Sequence, residues 1–454
     1  MSKNLMEDNV QAWLEARRGH VSVSVTPIPL SQMDGWCFDE GGNLRHETGR
    51  FFSIEGIRVS AESNGKGLQW EQPVINQPEV GYLGIIAKEF GGVLHFLMQA
   101  KVEPGNINAV QLSPTLQATK SNYTRQHKGA APRYLEYFLK ARPEHILIDQ
   151  LQSEQGARFL KKKNRNIVIR IDEELPLYED FAWISLPQIK DCLRQSNLVN
   201  MDTRSVIAGI NIAEFSPDIF GFTRLSATGK DMYRSLAMRT GKYTMKQVLS
   251  WLAARKAECD LSVVQIPLRD VSDWRIRESE ISRDDGKYFK VIGCKVEISN
   301  REVVSWCQPL VRPMQQGLCA FVIRKIDGVY HFLVQAKLEC GNIDAVELAP
   351  TVQCLTGNVY ENKVKPPFAD IVLQNDGGEK GIRNVLYDSF QSEEGGRFFH
   401  EQNRNMIVEV GESFPLEVPE SYIWMTLGQL YDFLRFNNFL NIQARSLLAA
   451  IPFI

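Results

Sequence analysis

No run of about 18 apolar residues, the length a spanning helix needs, occurs anywhere in the 454 residues, so no membrane span is expected. The opening MSKNLMEDNVQAW lacks the apolar core of a signal peptide. Basic excess is missing too: 52 Lys+Arg stand against 54 Asp+Glu, for a net charge of −2. The densest basic cluster, Lys161-Lys162-Lys163, has no interleaved aromatics. It reads as a solvated helix end, not as a nucleic-acid footprint. The eight cysteines form no C-x-x-C pair, so reduced thiols in a cytoplasmic protein are expected. There is no G-x-x-x-x-G-K-[ST], no G-x-G-x-x-G after a strand, no H-E-x-x-H or H-x-H, and no G-x-S-x-G. Those absences argue against P-loop hydrolysis, Rossmann hydride transfer, a tight metal site and a serine nucleophile elbow. Neither metal nor redox cofactor is expected, and neither nucleic acid nor membrane as a partner.

What is present is a duplication. HFLMQAK at 95–101 returns as HFLVQAK at 331–337, and WEQPV at 70–74 as WCQPL at 306–310. Gln152-Ser-Glu-Gln-Gly-Ala-Arg-Phe returns as Gln391-Ser-Glu-Glu-Gly-Gly-Arg-Phe, and Asn164-Arg-Asn as Asn403-Arg-Asn. A self-similarity this long implies two copies of one folding unit. Apolar residues at i, i+3 and i+4 spacing (Val10, Trp13, Leu14; Val248, Trp251, Leu252) predict an opening helix in each copy. Extended segments follow at 21–27 and 261–266, then strands near 51–60 and 288–298. A hairpin joins the apolar strands 80–88 and 317–325 to the HFL-x-QAK strands, through Phe90-Gly-Gly and Ile326-Asp-Gly. Ser153 and Ser392, each followed by Glu, predict helix starts that carry Arg158 and Arg397. Strands at 164–171 and 403–410 and amphipathic helices at 186–197 and 427–438 complete each copy. The expected class is α+β, with residues 1–215 as the first repeat, 216–245 as a connection and 246–454 as the second repeat.

The candidate site is polar and mostly neutral. Gln99, Lys101, Asn106, Thr115, Gln117, Ser121, Asn122, Tyr123 and Thr124 crowd one segment. Such a set suits a sugar, a phosphate or a pyrimidine edge, or else a hydrogen-bonded loop that supports the sheet. Trp70 and Trp306, each before a Gln-Pro, could stack on a base or cap the core. A helix start with Arg158 or Arg397 beside it suits a diphosphate; the alternative is an ion pair with a nearby Glu.

The run QAK-x-EPGN-x-N-x-VQLSPT-x-QAT-x-SNYT, with the Gln-Ser-Glu-Gln-Gly and Asn-Arg-Asn motifs downstream, resembles the NDP-hexose 2,3-dehydratases of deoxysugar biosynthesis over nearly the whole chain. The resemblance implies two Nudix-like mixed-sheet units related by a pseudo-twofold axis, a homodimer, and one nucleotide-sugar pocket per repeat. One pocket would be catalytic and the other a relic. It further implies a dTDP-linked 4-keto-6-deoxyglucose as substrate, no cofactor, and functional coupling to a 3-ketoreductase. Glu393-Glu394-Gly395-Gly396 fits the end of the Nudix metal motif, but Ser389-Phe390 stands where Arg-Glu is needed. Metal-dependent pyrophosphatase activity is therefore not expected.

Within that resemblance, His127 and the intact EPGNIN occur in the first copy alone, so its pocket is the expected catalytic one. His127 and Tyr123 are the expected acid/base pair, with Lys101 and Glu103 as reserves. Gln99, Asn106, Thr115, Gln117, Ser121, Asn122 and Thr124 would bind substrate. Gln152, Ser153, Glu154, Gln155, Gly156 and Arg158 would hold the diphosphate and sugar, and Trp70 the base. Trp306, Gln335, Thr351, Gln353, Asn358, Tyr360, Gln391, Ser392, Glu393 and Arg397 would form the second, vestigial pocket. Other functions open at this point are a non-catalytic nucleotide-sugar binding protein and an epimerase on the same ligand.

Overall fold

A computed structural model describes residues 9–63, 66–120, 131–222, 224–299, 303–357, 366–373 and 382–453. The opening helices are Val10–Gly19 and Met245–Ala257; Val10 and Leu14, and Val248 and Leu252, are their buried faces. Asn9 caps the first through the Gln11 amide, and Thr244 with Gln247 forms a capping box on the second.

Each repeat builds a seven-stranded mixed sheet. In the first, the order is Ile146–Ser153, Lys163–Arg170, Gly81–Phe90, Val93–Val102, Phe181–Ser185; Leu116–Ala118 also pairs with Gly81–Phe90, and Val110–Ser113 with Val93–Val102. The second repeats this with Ile382–Ser392, Gln402–Val410, Gly317–Ile326 and Val329–Leu338 as its main run. One pairing in each sheet is parallel, Asn164 opposite Gly81 and Asn403 opposite Gly317. The expected hairpins form as the turn residues dictate. Gly91 and Gly92, and Asp327 and Gly328, all have positive φ, which matches the twist of the flanking strands.

Two five-stranded sheets join the repeats by exchanging strands. Val23–Ile28 of the first repeat pairs with Phe289–Ile298 of the second, Val23 opposite Ile298. Asp260–Ile266 of the second pairs with Ser53–Ser63 of the first, Asp260 opposite Glu62. The two small sheets share one apolar cluster. Trp36, Leu44, Phe52 and Phe159 pack with Trp274, Phe289, Val311 and Phe398.

Backbone contacts across the seam are reciprocal. Gly105 N–H donates to Gly395 O and Gly341 N–H to Gly156 O, both at 2.7 Å. A Cβ on Gly105 would lie 1.6 Å from Phe398 O, and one on Gly341 1.7 Å from Phe159 O, so only glycine fits at either place. Two buried arginines cross in opposite directions. Arg204 donates to Gln391 Oε1 (2.8 Å) and to Ser392 O; Arg445 donates to Ser205 Oγ (3.0 Å) and to Ser153 O.

The stretch between the repeats contains the helix Ala227–Ala237, which lies on the second sheet. There Ser235 Oγ donates to Tyr330 O at 2.6 Å.

Two expectations are corrected. Lys161-Lys162-Lys163 is not a solvated helix end, because Lys163 opens the strand Lys163–Arg170 and Lys162 is buried. No helix starts at Ser153 or Ser392. Each ends a strand, and the chain then turns back; Glu154 N–H closes the loop on Lys162 O at 3.0 Å, and Glu393 N–H on Glu401 O at 2.9 Å. The Gly156 and Gly395 carbonyls, which a helix would use internally, accept from the other repeat instead. The helix-start argument for diphosphate binding at Arg158 therefore falls. Trp70 and Trp306 sit in the strands Lys66–Asn76 and Ser305–Pro313.

The seam sets up a pH test at Glu347. Its Oε2 accepts from Ser153 Oγ of the other repeat at 2.7 Å. Burial pushes its carboxyl up to about 7, against the opposing pull of Ser153, Arg445 and Lys256; Glu339 adds to the rise. A raised folded-state value means the folded chain holds the proton more firmly. That stabilisation is complete below the ordinary carboxyl range and is lost as pH rises to about 7. The loss is about 3 kcal/mol at 1.36 kcal/mol per unit. The matched position in the first repeat is Gln111, whose Oε1 accepts from Ser392 Oγ at 2.9 Å. Glu347→Gln is therefore expected to gain on the wild type by up to ~3 kcal/mol between pH 5 and pH 8 in urea unfolding. An equal difference at both pH values would count against the buried carboxyl.

Candidate functional site

An open cleft of about 170 Å³ lies on the seam. From the first repeat it is lined by Gln77, Lys101, Glu103, Gln117, Lys162, Asn164 and Asp202; from the second by Trp306, Gln308, Glu394, Gly396 and Arg397. It is thus built by both repeats.

The first-repeat wall follows from the strand Val93–Val102 and the short strand Leu116–Ala118. Gln117 Nε2 donates to Glu103 Oε1 at 2.7 Å, and Lys101 Nζ stands 3.8 Å from the same oxygen. Glu103 Oε2 is buried with no hydrogen-bond partner among the described residues. Asn200 Nδ2 donates to Gln117 Oε1 at 3.3 Å while its Oδ1 caps the helix Met201–Ile207, which brings Asp202 to the cleft.

The second-repeat wall is a relay. Trp306 Nε1 donates to Gln308 Oε1 (2.7 Å), and Gln308 Nε2 to Gly396 O (2.8 Å). Arg397 Nη1 donates to the same carbonyl (2.7 Å), and its Nε to Gln77 Oε1 of the first repeat (3.2 Å). The Arg397 guanidinium lies 4.1 Å from the centre of the Phe52 ring.

Charges are dense here. Burial pushes Glu394 up; Glu103 adds to the rise, and Arg397, Lys162 and Lys101 oppose it. Asp202 is raised well above the ordinary range by burial and by Glu394, Glu154 and Glu103. Glu154 rises to about 7, from burial and then Glu394. Burial lowers Lys162 and Arg397, against the pull of the carboxylates. Crowded, poorly solvated carboxyls of this kind hold protons above the ordinary carboxyl range.

Sequence grouped the candidates by repeat; the structure groups several across the seam. Arg397 belongs to the cleft of the first repeat. Arg158 sits 4.2 Å from the Phe289 ring centre and acts on Glu339 and Glu401 of the second. Trp70 packs in a cluster with Cys340, and Gly156 O accepts from Gly341 N–H. Around Glu339 the second repeat copies the first: Gln353 Nε2 donates to Glu339 Oε1 (2.8 Å), and Asn441 to Gln353 (2.7 Å).

Other candidates hold the frame. Thr115 Oγ1 donates to Leu97 O and accepts from Ile86 N–H (2.9 Å); Thr351 does the same with Leu333 and Val322. Gln152 donates to Leu434 O (3.2 Å) and Gln391 to Leu193 O (2.9 Å), both into the other repeat. Ser153 and Ser392 bond across the seam, and Gln155 Nε2 donates to Glu393 Oε2 at 2.6 Å. Glu154 accepts from Asn164 at 2.7 Å and Glu393 from Asn403. Asn106 backs onto Gly395. Gln99 donates to Asp180 at 3.0 Å and does not line the cleft, and Gln335 pairs with Ala349 and Tyr422 in its sheet. Ser121, Asn122, Tyr123, Thr124, His127, Asn358 and Tyr360 lie outside the described residues.

Sequence reasoning passed over Gln77, Lys162, Asp202, Gln308 and Glu394 as site residues. The signal was available at three of them, where the aligned repeats differ in charge: Lys162 against Glu401, Asp202 against Gln443, and Glu394 against Gln155.

A model of the NDP-hexose 2,3-dehydratase family matches the chain twice, at residues 7–210 and 245–451. The chain is 44% identical over 454 residues to a dTDP-4-dehydro-6-deoxy-alpha-D-glucopyranose 2,3-dehydratase of Saccharopolyspora spinosa, covering 97% of this chain and 90% of the relative. It is 43% identical over 452 residues to the enzyme of that name from Amycolatopsis orientalis, covering 98% and 90%. Against the one from Streptomyces violaceoruber it is 43% identical over 444 residues, covering 97% and 96%.

Proposed function

The chain belongs to the NDP-hexose 2,3-dehydratase family, and from that premise we propose that it removes water from dTDP-4-keto-6-deoxyglucose in the seam cleft of the first repeat. It is a carbon–oxygen lyase of deoxysugar biosynthesis. The 4-keto group acidifies the proton at C3. A base removes that proton, the 2-hydroxyl leaves as water, and the resulting enol tautomerises to the 2-deoxy-3,4-diketo sugar. Electrons balance without an external oxidant or reductant.

The observation that carries this reading is the cleft itself. It gathers carboxyls that can hold protons, cations that can meet a diphosphate or an enolate oxygen, and an indole on one wall. Arg397 is the natural diphosphate partner and Trp306 the base-stacking surface; Arg158 and Trp70 take those roles in the second repeat. Lys101 and Glu103 line the catalytic cleft. His127, with Tyr123, serves as the acid for the departing hydroxyl. It follows in sequence on Gln117–Thr119, which border the cleft.

The reciprocal contacts favour a pseudo-twofold relation between two Nudix-like units. The second cleft is read as a vestigial nucleotide-sugar site, and the protein as a cytoplasmic homodimer. An unstable diketo product calls for a 3-ketoreductase downstream.

Incubation with dTDP-4-keto-6-deoxyglucose, a 3-ketoreductase and NADPH, read by mass spectrometry, is expected to give a 2-deoxygenated product. Binding of dTDP with the sugar unchanged would support a binding protein instead. Solvent deuterium at C3 without loss of water would support an epimerase.

A further inference from the structure

The cleft and the corresponding place across the seam share a frame and differ where protons could move. Lys101, Glu103, Gln117, Asn164 and Arg397 around the cleft match Lys337, Glu339, Gln353, Asn403 and Arg158 at the corresponding place across the seam. The first has Glu394, Asp202 and Lys162 where the second has Gln155, Gln443 and Glu401. Structure supports these equivalences. Asn200 and Asn441 cap matched helices and donate to matched glutamines, two residues before Asp202 and Gln443. Gly156 and Gly395, next in sequence to Gln155 and Glu394, back onto Asn342 and Asn106 alike. A carboxamide keeps the planar shape and much of the hydrogen bonding of a carboxylate, but it takes up no proton at neutral pH. The difference therefore bears on proton transfer more than on binding.

We propose that Glu394, carried by the second repeat, is the catalytic base that removes the C3 proton of the hexose held in the first repeat's cleft, with Asp202 as its positioning partner. The proposal rests on the dehydratase reading above. Glu394 lines the cleft and is only half-buried, so a ligand can reach it. Its surroundings place Lys101, Lys162 and Arg397 against Glu103, Glu154 and Asp202. Asp202 is the more deeply buried carboxyl, and burial with Glu394 close by raises it well above the ordinary range. Glu103 Oε2 is buried in the same cleft without a protein partner among the described residues.

In the step, the C3–H bond breaks and its proton passes to the Glu394 carboxylate. The electron pair moves into C3–C4 and leaves an enolate oxygen at C4, which the cations meet. The enolate collapses, C2=C3 forms, and the C2–O bond breaks. The departing hydroxyl takes a proton from an acid and leaves as water.

The test is Glu394→Gln in the full chain. Glutamine already occupies the matched position 155, so the variant is expected to fold, melt within a few degrees of the wild type and bind dTDP within threefold. Water loss is expected to fall at least 100-fold. Deuterium uptake at C3 from D2O is expected to fall with it, because C3–H cleavage itself is blocked. His127→Ala is expected to lose elimination yet keep C3 exchange. Asp202→Asn is expected to shift the pH profile of kcat while dTDP binding holds. Glu394→Gln activity within threefold of wild type overturns the proposal. So does wild-type C3 exchange in that variant, or loss of exchange in His127→Ala. Loss of folding or of dTDP binding in Glu394→Gln also overturns it, since the role would then be structural. A wild-type enzyme that releases no water from the 4-keto sugar overturns the dehydratase reading instead.

Discussion

Arg397→Met is expected to lower kcat/KM about 100-fold or more, and Arg158→Met by far less, although Arg158 lies in the repeat to which we assign the catalytic cleft. The order follows from placement across the seam. The Arg397 guanidinium reaches into the first cleft, bonded to Gln77 and laid on Phe52, while Arg158 faces Phe289 and Glu339. A charge-assisted hydrogen bond is worth about 1.5–3 kcal/mol, and two such bonds to a diphosphate reach the factor stated. Removing the cation also leaves Glu394, Glu103 and Asp202 less compensated, which adds to the loss. Steady-state kinetics decides the matter, with melting curves to separate binding from folding. A larger loss from Arg158→Met would assign the catalytic cleft to the second repeat.

The repeats produced as separate chains, residues 1–244 and 245–454, are each expected to fail to fold, and to recover structure and activity when produced together. Each half gives away a strand that completes the other's small sheet and leaves an open edge behind. Each half supplies eight buried residues of the shared cluster around Trp36 and Trp274. Burying one large apolar side chain is worth about 1.5–3 kcal/mol, so unpairing the cluster alone exceeds the ~5–15 kcal/mol by which domains are stable. Arg204 and Arg445 would each lose carbonyl partners as well. Circular dichroism and urea unfolding of the separate halves test this. A cooperative, native-like transition in either half alone would contradict it.

Local structure was legible where local chemistry decides it. Gly91-Gly92 and Asp327-Gly328 announce their hairpins, and the spacing of Val10, Leu14, Val248 and Leu252 their helices. Ser153-Glu154 misled because Ser before Glu has the look of a helix cap, whereas the carbonyls that follow are taken by the partner repeat. The exchange of Val23–Ile28 and Asp260–Ile266 left no mark in the pattern, since an amphipathic strand alternates alike in either sheet. The composite cleft was hidden for the same reason. Repeats aligned in sequence invite the assumption that each pocket is made within its own repeat. Asp202 sits in a short helix whose residues are all buried, so no polar stripe drew attention to it.

In a symmetric pair of separate single-repeat chains, every substitution would fall in both clefts at once. Here positions 155 and 394 are one structural place written twice in one gene, Glu394 lining the cleft and Gln155 bonded to Glu393. Covalent fusion lets one be a carboxylate and the other a carboxamide. The frozen glycine contacts of the seam, which tolerate no side chain, hold the frame constant while the two sites drift apart.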